Sequence, residues 1–176
     1  VTVLDDLSTG SLENINPKTK FIHGSILSKQ DLSSLFSNKK FDCVIHLAAR
    51  KAARDSMVNP VAYSENNIIG SLNLINACSC HGVKNFVFSS TAAVYGKPEY
   101  IPVDEKHSLA PANYYGYTKL IIEENLKWYC DLNNIRFASL RYFNAAGYDE
   151  KGRITSIEDN PQNLIPLVME AALGIR

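Results

Sequence analysis

Short apolar runs alternate along this chain with stretches of helical spacing, and few folds can accommodate that order. The runs are Val1 to Leu4, Phe21-Ile-His-Gly24, Phe41 to Leu47, Val83 to Ser89 and Arg136 to Arg141. Lys29 to Phe36, Pro60 to Cys80, Tyr114 to Asp131 and Leu164 to Leu173 read as helices, the second with apolar residues at Ile68, Leu72 and Ile75. Strands joined through helices return to their sheet in parallel, because a parallel pair needs a crossover that a tight turn cannot supply. Phe41 to Leu47, rich in Val and Ile, reads as a strand buried on both faces. The expected class is α/β: a Rossmann-like, doubly wound parallel sheet, incomplete, followed by the start of a smaller substrate-binding lobe. Residues 1–144 are assigned to the sheet domain. From Ala145 the texture changes to Gly, Asp, Asn and Pro, including Gly147, Gly152 and Asp159-Asn-Pro161, so residues 145–176 are read as the beginning of the lobe. Polar residues collect after the strands, where open parallel sheets bind their ligands.

Composition removes several classes of function. Eighteen Lys and Arg balance eighteen Asp and Glu, so no net field draws the chain to nucleic acid or to an anionic membrane. No apolar run approaches the roughly 20 residues of a membrane span, and no signal-peptide pattern is present. Cys43, Cys78, Cys80 and Cys130 read as small buried apolar residues, which suits a reducing, cytoplasmic compartment. Cys78-Ser-Cys80 has no further ligands near it in the pattern, and His23, His81 and His107 lack ligand spacing, so no metal is expected. His46, inside an apolar strand, reads as a satisfied core histidine.

The chemistry-bearing pattern lies in Asn113-Tyr-Tyr-Gly-Tyr-Thr-Lys-Leu120. On a helix Tyr115 and Lys119 are four residues apart and share a face. A phenol with a pKa of about 10 is a poor base at neutral pH, and a neighbouring cation favours its phenolate. Upstream, Ser89-Ser-Thr91 follows the strand run Asn85-Phe-Val-Phe88, and the Thr91 hydroxyl suits a bond to a substrate alcohol or a developing carbonyl. A Tyr-x-x-x-Lys spacing also occurs by chance on amphipathic helices, and it is the upstream hydroxyl set that gives it weight.

With Val3-Leu-Asp-Asp-Leu-Ser8, Phe41 to Ala49, Asn66 to Ile75, Ser89 to Gly96, Arg141-Tyr-Phe-Asn144 and Gln162-Asn-Leu-Ile-Pro166, the whole chain resembles the extended short-chain dehydrogenase/reductase family and, within it, the UDP-glucose 4-epimerases. The resemblance implies NAD as cofactor, a UDP-hexose as substrate and a homodimer built on Pro60 to Cys80 and Tyr114 to Asp131. It makes Thr91, Tyr115 and Lys119 catalytic, with Tyr115 as the base. Asp5 is expected on the adenosine ribose, with Asp6, Ser8 and Thr9 lining the same end and Ser25 and Ile26 near the adenine. Leu47, Ala48 and Ala49 run beneath the dinucleotide, and Lys51, Asn66, Ser89, Tyr115, Lys119 and Tyr142 complete the cofactor set. The UDP-sugar is expected on Thr91, Tyr115, Asn144, Asn163 and Leu164. Taken without the resemblance, Asn66 and Asn67 read equally as capping residues.

Two departures qualify the pattern. The family's usual Gly-Asp after the third strand is Gly24-Ser25 here, and no glycine-rich G-x-x-G-x-x-G turn occurs in the 176 residues. The chain is therefore expected to be a fragment that is inactive by itself. Related 4,6-dehydratases carry Asp-Glu after the Ser/Thr, where this chain has Ala92 and Ala93, so elimination lacks its acid and base. Other nucleotide-sugar epimerases, dehydratases, decarboxylases and reductases of the family stay open as alternatives. So does, in another class, a non-catalytic nucleotide-sugar sensor.

Overall fold

In a computed structural model the described residues are 1–145, 147, 149–153 and 164–175. The chain separates into two compact units, Val1–Ser25 with Asn144–Arg176, and Ile26–Phe143.

In the first unit, β1 (Thr2–Asp5) and β2 (Lys20–His23) pair in parallel, with Asp5 opposite His23. Their connection carries a short 3₁₀ turn, Leu12–Asn14, capped by the Ser11 side chain. The later segment contributes α6 (Leu164–Ala172).

The second unit is built on a parallel sheet in the order β3 (Cys43–His46), β4 (Asn85–Thr91), β5 (Arg136–Tyr142). Register sets Ser90 opposite Arg141 and Thr91 opposite Tyr142. Ahead of β3 comes α1 (Lys29–Ser37), started by the Ser28 side chain accepting from the Asp31 amide. Between β3 and β4 lie α2 (Ala53–Ser56), then α3 (Pro60–Tyr63), which runs through a π-helical stretch, Ser64–Gly70, into α4 (Ser71–Cys80). The expected helix over Pro60 to Cys80 is thus present, with a wide turn in its middle that periodicity does not reveal.

β4 leads through a 3₁₀ turn, Ala92–Tyr95, to a long loop and then α5 (Tyr114–Asn133). Asn113 caps α5 by accepting from the Gly116 amide at 2.8 Å, and the helix ends at Asn134 with φ 55°. Ile122 and Leu126, four apart on α5, are fully buried with Phe86 and Phe88 of β4 and Ile75 of α4. Burying side chains of this size contributes roughly 1.5–3 kcal/mol each, and it holds helix to sheet.

Two expectations need correction. β3 is not buried on both faces: Ile45 is 64% and Leu47 is 66% exposed, while His46 on the opposite face is buried. His46 bonds Ser71 of α4 on one face while Ile45 points to the other, so the alternating side chains of β3 meet different surroundings. Of the cysteines, Cys78 alone is buried; Cys130 is half-buried, and Cys43 and Cys80 are exposed.

Candidate active site

Thr91 is the last residue of β4, and Tyr115 and Lys119 lie in the first two turns of α5. What brings them together is Gly116. A Cβ at that position would stand 2.7 Å from the Ala93 carbonyl oxygen, so only glycine lets the start of α5 press against the turn that follows Thr91. On the other side of the same turn Gly96, at φ +67°, leaves no room for a side chain beneath the Ala110 carbonyl.

The three functional groups lie in one neighbourhood. The Thr91 hydroxyl accepts from the Ala93 amide at 3.2 Å and lies on the side of the Tyr115 phenol. Burial raises the phenol above its ordinary pKa, partly offset by the neighbouring Thr91 hydroxyl. The Lys119 ammonium, almost fully buried, donates to the Ser89 carbonyl at 2.8 Å and stands 4.9 Å above the Phe88 ring and 5.9 Å from the centre of the Tyr115 ring. Burial brings its pKa down to about 8. The pair therefore begins as a neutral phenol beside a readily titrated ammonium.

Around this group are residues that the sequence pattern does not mark. Glu123, one turn beyond Lys119, is buried and bonded to Ser90 and Arg141. Ser90 is thereby engaged away from Thr91. His46 is buried, bonds Ser71 Oγ at 2.7 Å and has its pKa lowered to about 3, first by burial and then by the charge on Lys119. It is the satisfied core histidine expected. Asn67, inside the π-helical stretch, accepts from the Arg50 amide at 2.8 Å and donates to the Arg50 carbonyl and to Thr118 Oγ1. Thr118 Oγ1 in turn donates to the Tyr115 carbonyl at 2.7 Å, so the loop after β3 is tied to the start of α5. Neither asparagine caps a helix. Asn66 is half-buried in the same stretch.

The expected binding residues fall at strand ends. After β3, Leu47, Ala48 and Lys51 are exposed and Ala49 is half-buried. Ser89 holds Lys119 through its carbonyl, Ile26 is buried, and Tyr142, at the end of β5, and Asn144 are exposed. In the first unit the Asp5 carboxylate accepts the Leu7 amide at 2.7 Å, and Asp6 accepts the Ser8 amide at 3.0 Å. Ser8, foremost, holds the Asp6 carboxyl below its usual range. Ser25 donates to Asp6 at 3.4 Å, and Thr9 is exposed. Leu164 opens α6 with its side chain exposed, and Asn163 lies outside the described residues. Among the described residues no His, Cys, Asp and Glu cluster is arranged to hold a metal, and no helix is long and apolar enough to cross a membrane.

Residues 1–174 match the model of the NAD dependent epimerase/dehydratase family. The chain belongs to that family. It is 43% identical over its full length to a UDP-glucose 4-epimerase of Halalkalibacterium halodurans and 37% identical to one of Lacticaseibacillus casei, and spans 52% and 53% of those proteins. A crystal structure of UDP-glucose 4-epimerase from Brucella ovis in complex with NAD superimposes with a TM-score of 0.95 at 36% identity, covering 99% of this chain and 54% of that one. The family match agrees with the Rossmann-like parallel sheet. The chain spans about half the length of the curated relatives it matches.

Proposed function

We propose that the full-length protein carrying this chain interconverts UDP-glucose and UDP-galactose by NAD-dependent epimerisation at carbon 4 of the hexose. The observation that carries the reading is the Thr91–Tyr115–Lys119 group, with a phenol, a hydroxyl and a buried ammonium converging at the end of β4. The relatives' names support the sugar, and Ala92 and Ala93 disfavour elimination.

NAD, when bound, would supply the hydride acceptor and donor for carbon 4 of the sugar. The donor set fits it: Lys119, with one bond to Ser89, has further N–H groups for a ribose hydroxyl, and Asp5 offers a carboxylate suited to a vicinal diol. Tyr115, as phenolate, removes the proton of the 4-hydroxyl while the C4–H bond breaks, leaving a 4-keto sugar. Thr91 donates to the carbonyl oxygen so formed. When hydride returns, Tyr115 gives the proton back, so no redox equivalent is consumed. Lys119 favours the phenolate by its charge. Asp6, Ser8, Thr9, Ser25, Ile26, Leu47, Ala48, Ala49, Lys51, Asn66, Ser89 and Tyr142 are assigned to the cofactor, and Asn144, Asn163 and Leu164 to the nucleotide sugar. Residues 1–144 serve as the cofactor domain and 145–176 open the substrate lobe. A homodimer in the cytoplasm completes the reading. It is supported by exposed Val61 and Ile69 on the Pro60 to Cys80 helix and by exposed Tyr117, Trp128 and Leu132 on α5.

The test is formation of UDP-glucose from UDP-galactose by the full-length protein with NAD. Tyr115→Phe is expected to lower turnover at least about a hundredfold while leaving NAD affinity, measured by calorimetry, largely intact. Absence of turnover in the wild type ends the reading, and near-normal turnover in the variant removes Tyr115 as base.

A further inference from the structure

Thr91 and Tyr115 each sit where secondary structure is weakest, one at the last position of a strand and the other in the first turn of a helix. Ladder and helix hydrogen bonds hold such ends loosely. Yet the proposed chemistry requires the two hydroxyls to stay close, and the Thr91 hydroxyl already bears on the Tyr115 phenol. Something besides the elements themselves must fix their separation.

The groups that flank Thr91 converge on a single carboxylate. Glu123 lies eight residues beyond Tyr115 on the same face of α5, continuing the line of Tyr115 and Lys119. Its side chain is 3% exposed. Oε1 accepts from Ser90, the residue before Thr91, and from Arg141 Nε at 3.1 Å. Oε2 accepts from Arg141 Nη2 at 2.6 Å and from Nε at 3.2 Å. Arg141 is the register partner of Ser90 on β5, and its Nη1 donates at 3.0 Å to the hydroxyl of Tyr95, which closes the turn after Thr91. The guanidinium carbon lies 4.9 Å above the Tyr95 ring. One buried ion pair thus ties the strand before Thr91, the turn after it and the neighbouring strand to the helix that carries Tyr115.

A buried ion pair is a poor device for stability, because desolvation offsets most of its attraction and apolar residues of equal volume do as well. What the fork does supply is direction: two parallel bonds allow one orientation of helix to strand. The pair is also neutral overall, so it fixes geometry without adding net charge beside Lys119.

We propose that Glu123 and Arg141 are positioning residues whose clamp holds the Thr91 hydroxyl against the Tyr115 phenol. The inference rests on the catalytic roles given above to Thr91 and Tyr115, but its test has an arm that needs no turnover. The titratable groups described around the phenol are Lys119 on its own helix, His46 on β3, which faces Lys119, and beyond them Glu123, Arg141 and Tyr95.

The experiment uses the full-length protein with NAD, labelled with ¹³C at tyrosine Cζ, the Tyr115 resonance being assigned by its loss in Tyr115→Phe. Arg141→Met is expected to move that resonance in the direction that Thr91→Ala moves it, and to move it no further in the Thr91→Ala background. With UDP-galactose, Arg141→Met should lower kcat about tenfold or more and leave KM unchanged, the mark of an interaction needed only in the transition state. Arg141→Lys, which keeps the charge and loses the fork, should fall between it and the wild type. Should Arg141→Met fail to fold, Tyr95→Phe, which removes one partner of the guanidinium and keeps the ring, is expected to shift the resonance in the same sense by less. A resonance unmoved in the folded variants, or shifts that add fully to those of Thr91→Ala, would overturn the proposal. An inactive wild type with a displaced resonance would leave the clamp standing and remove only the epimerase reading.

Discussion

At the end of β4 the polar groups are held by partners far away in sequence, whereas at the end of β1 they are held by the turn itself. Lys119 bonds Ser89, Glu123 bonds Ser90, and Arg141 reaches Tyr95, with helix, strand and turn each contributing. Asp5 and Asp6 instead accept the amides of residues two positions on, Leu7 and Ser8, and Ser25 reaches Asp6 only at 3.4 Å. The first arrangement fixes distances between side chains from separate elements, as the proposed proton transfer requires. The second presents acceptors on a locally folded, half-exposed turn, which is enough for gripping hydroxyls. Under the proposed function one region serves chemistry and the other binding, so their variants should fail in different ways.

The sharpest separation comes from Thr91. In the full-length protein Thr91→Ala is expected to lower kcat by about tenfold to a hundredfold with NAD affinity intact, while Thr91→Ser, which keeps the hydroxyl, retains most of the activity. Steady-state kinetics and calorimetry on the pair read this out. If the two variants behave alike, the hydroxyl makes no substrate contact. Ser90 cannot replace it, because Glu123 already holds it.

Next in size is a glycine comparison between the same two regions. Gly116→Ala places a methyl 2.7 Å from the Ala93 carbonyl, and backbone cannot give way cheaply, so a loss of about 1–3 kcal/mol in stability is expected. Gly10, beside Asp5, has its nearest neighbour at 3.6 Å, an ordinary contact, and Gly10→Ala should stay within about 0.5 kcal/mol of the wild type. Urea unfolding of both variants decides it. Equal losses would mean that the turn after β1 is as tightly determined as the catalytic corner.

The strands, the helices and the Tyr115–Lys119–Thr91 group were legible because periodicity and short-range spacing encode them. Gly116 was visible as a glycine inside a helical pattern, a signal for close approach that points to no particular neighbour. The Glu123–Arg141 clamp was not legible: a charged residue at helical spacing reads as solvated face, and only the β4–β5 register brings Arg141 to it. Asn67 and Asn66 are adjacent and alike in sequence, and the π-helical turn decides which is buried. The exposed face of β3 escaped for a related reason, since apolar content does not say whether anything covers the second face.

His46 gives the smallest effect and the one that depends on pH. It lies behind Lys119, buried, with an imidazole pKa near 3 against 6.5 for the ordinary side chain. Between those values the unfolded chain binds a proton that the native chain refuses. Stability from this residue is therefore whole above pH 6.5 and declines as pH falls toward about 3. The slope is about 1.4 kcal/mol for each pH unit once the unfolded imidazole is fully protonated. His46→Gln has no proton to refuse, so its stability, however altered at pH 8, should fall less steeply between pH 6 and 4, on the order of 1 kcal/mol less per unit. Urea midpoints across that range compare the slopes. Parallel curves for variant and wild type would show that His46 takes up its proton in the native state, and that the catalytic corner is open to water from the β3 side.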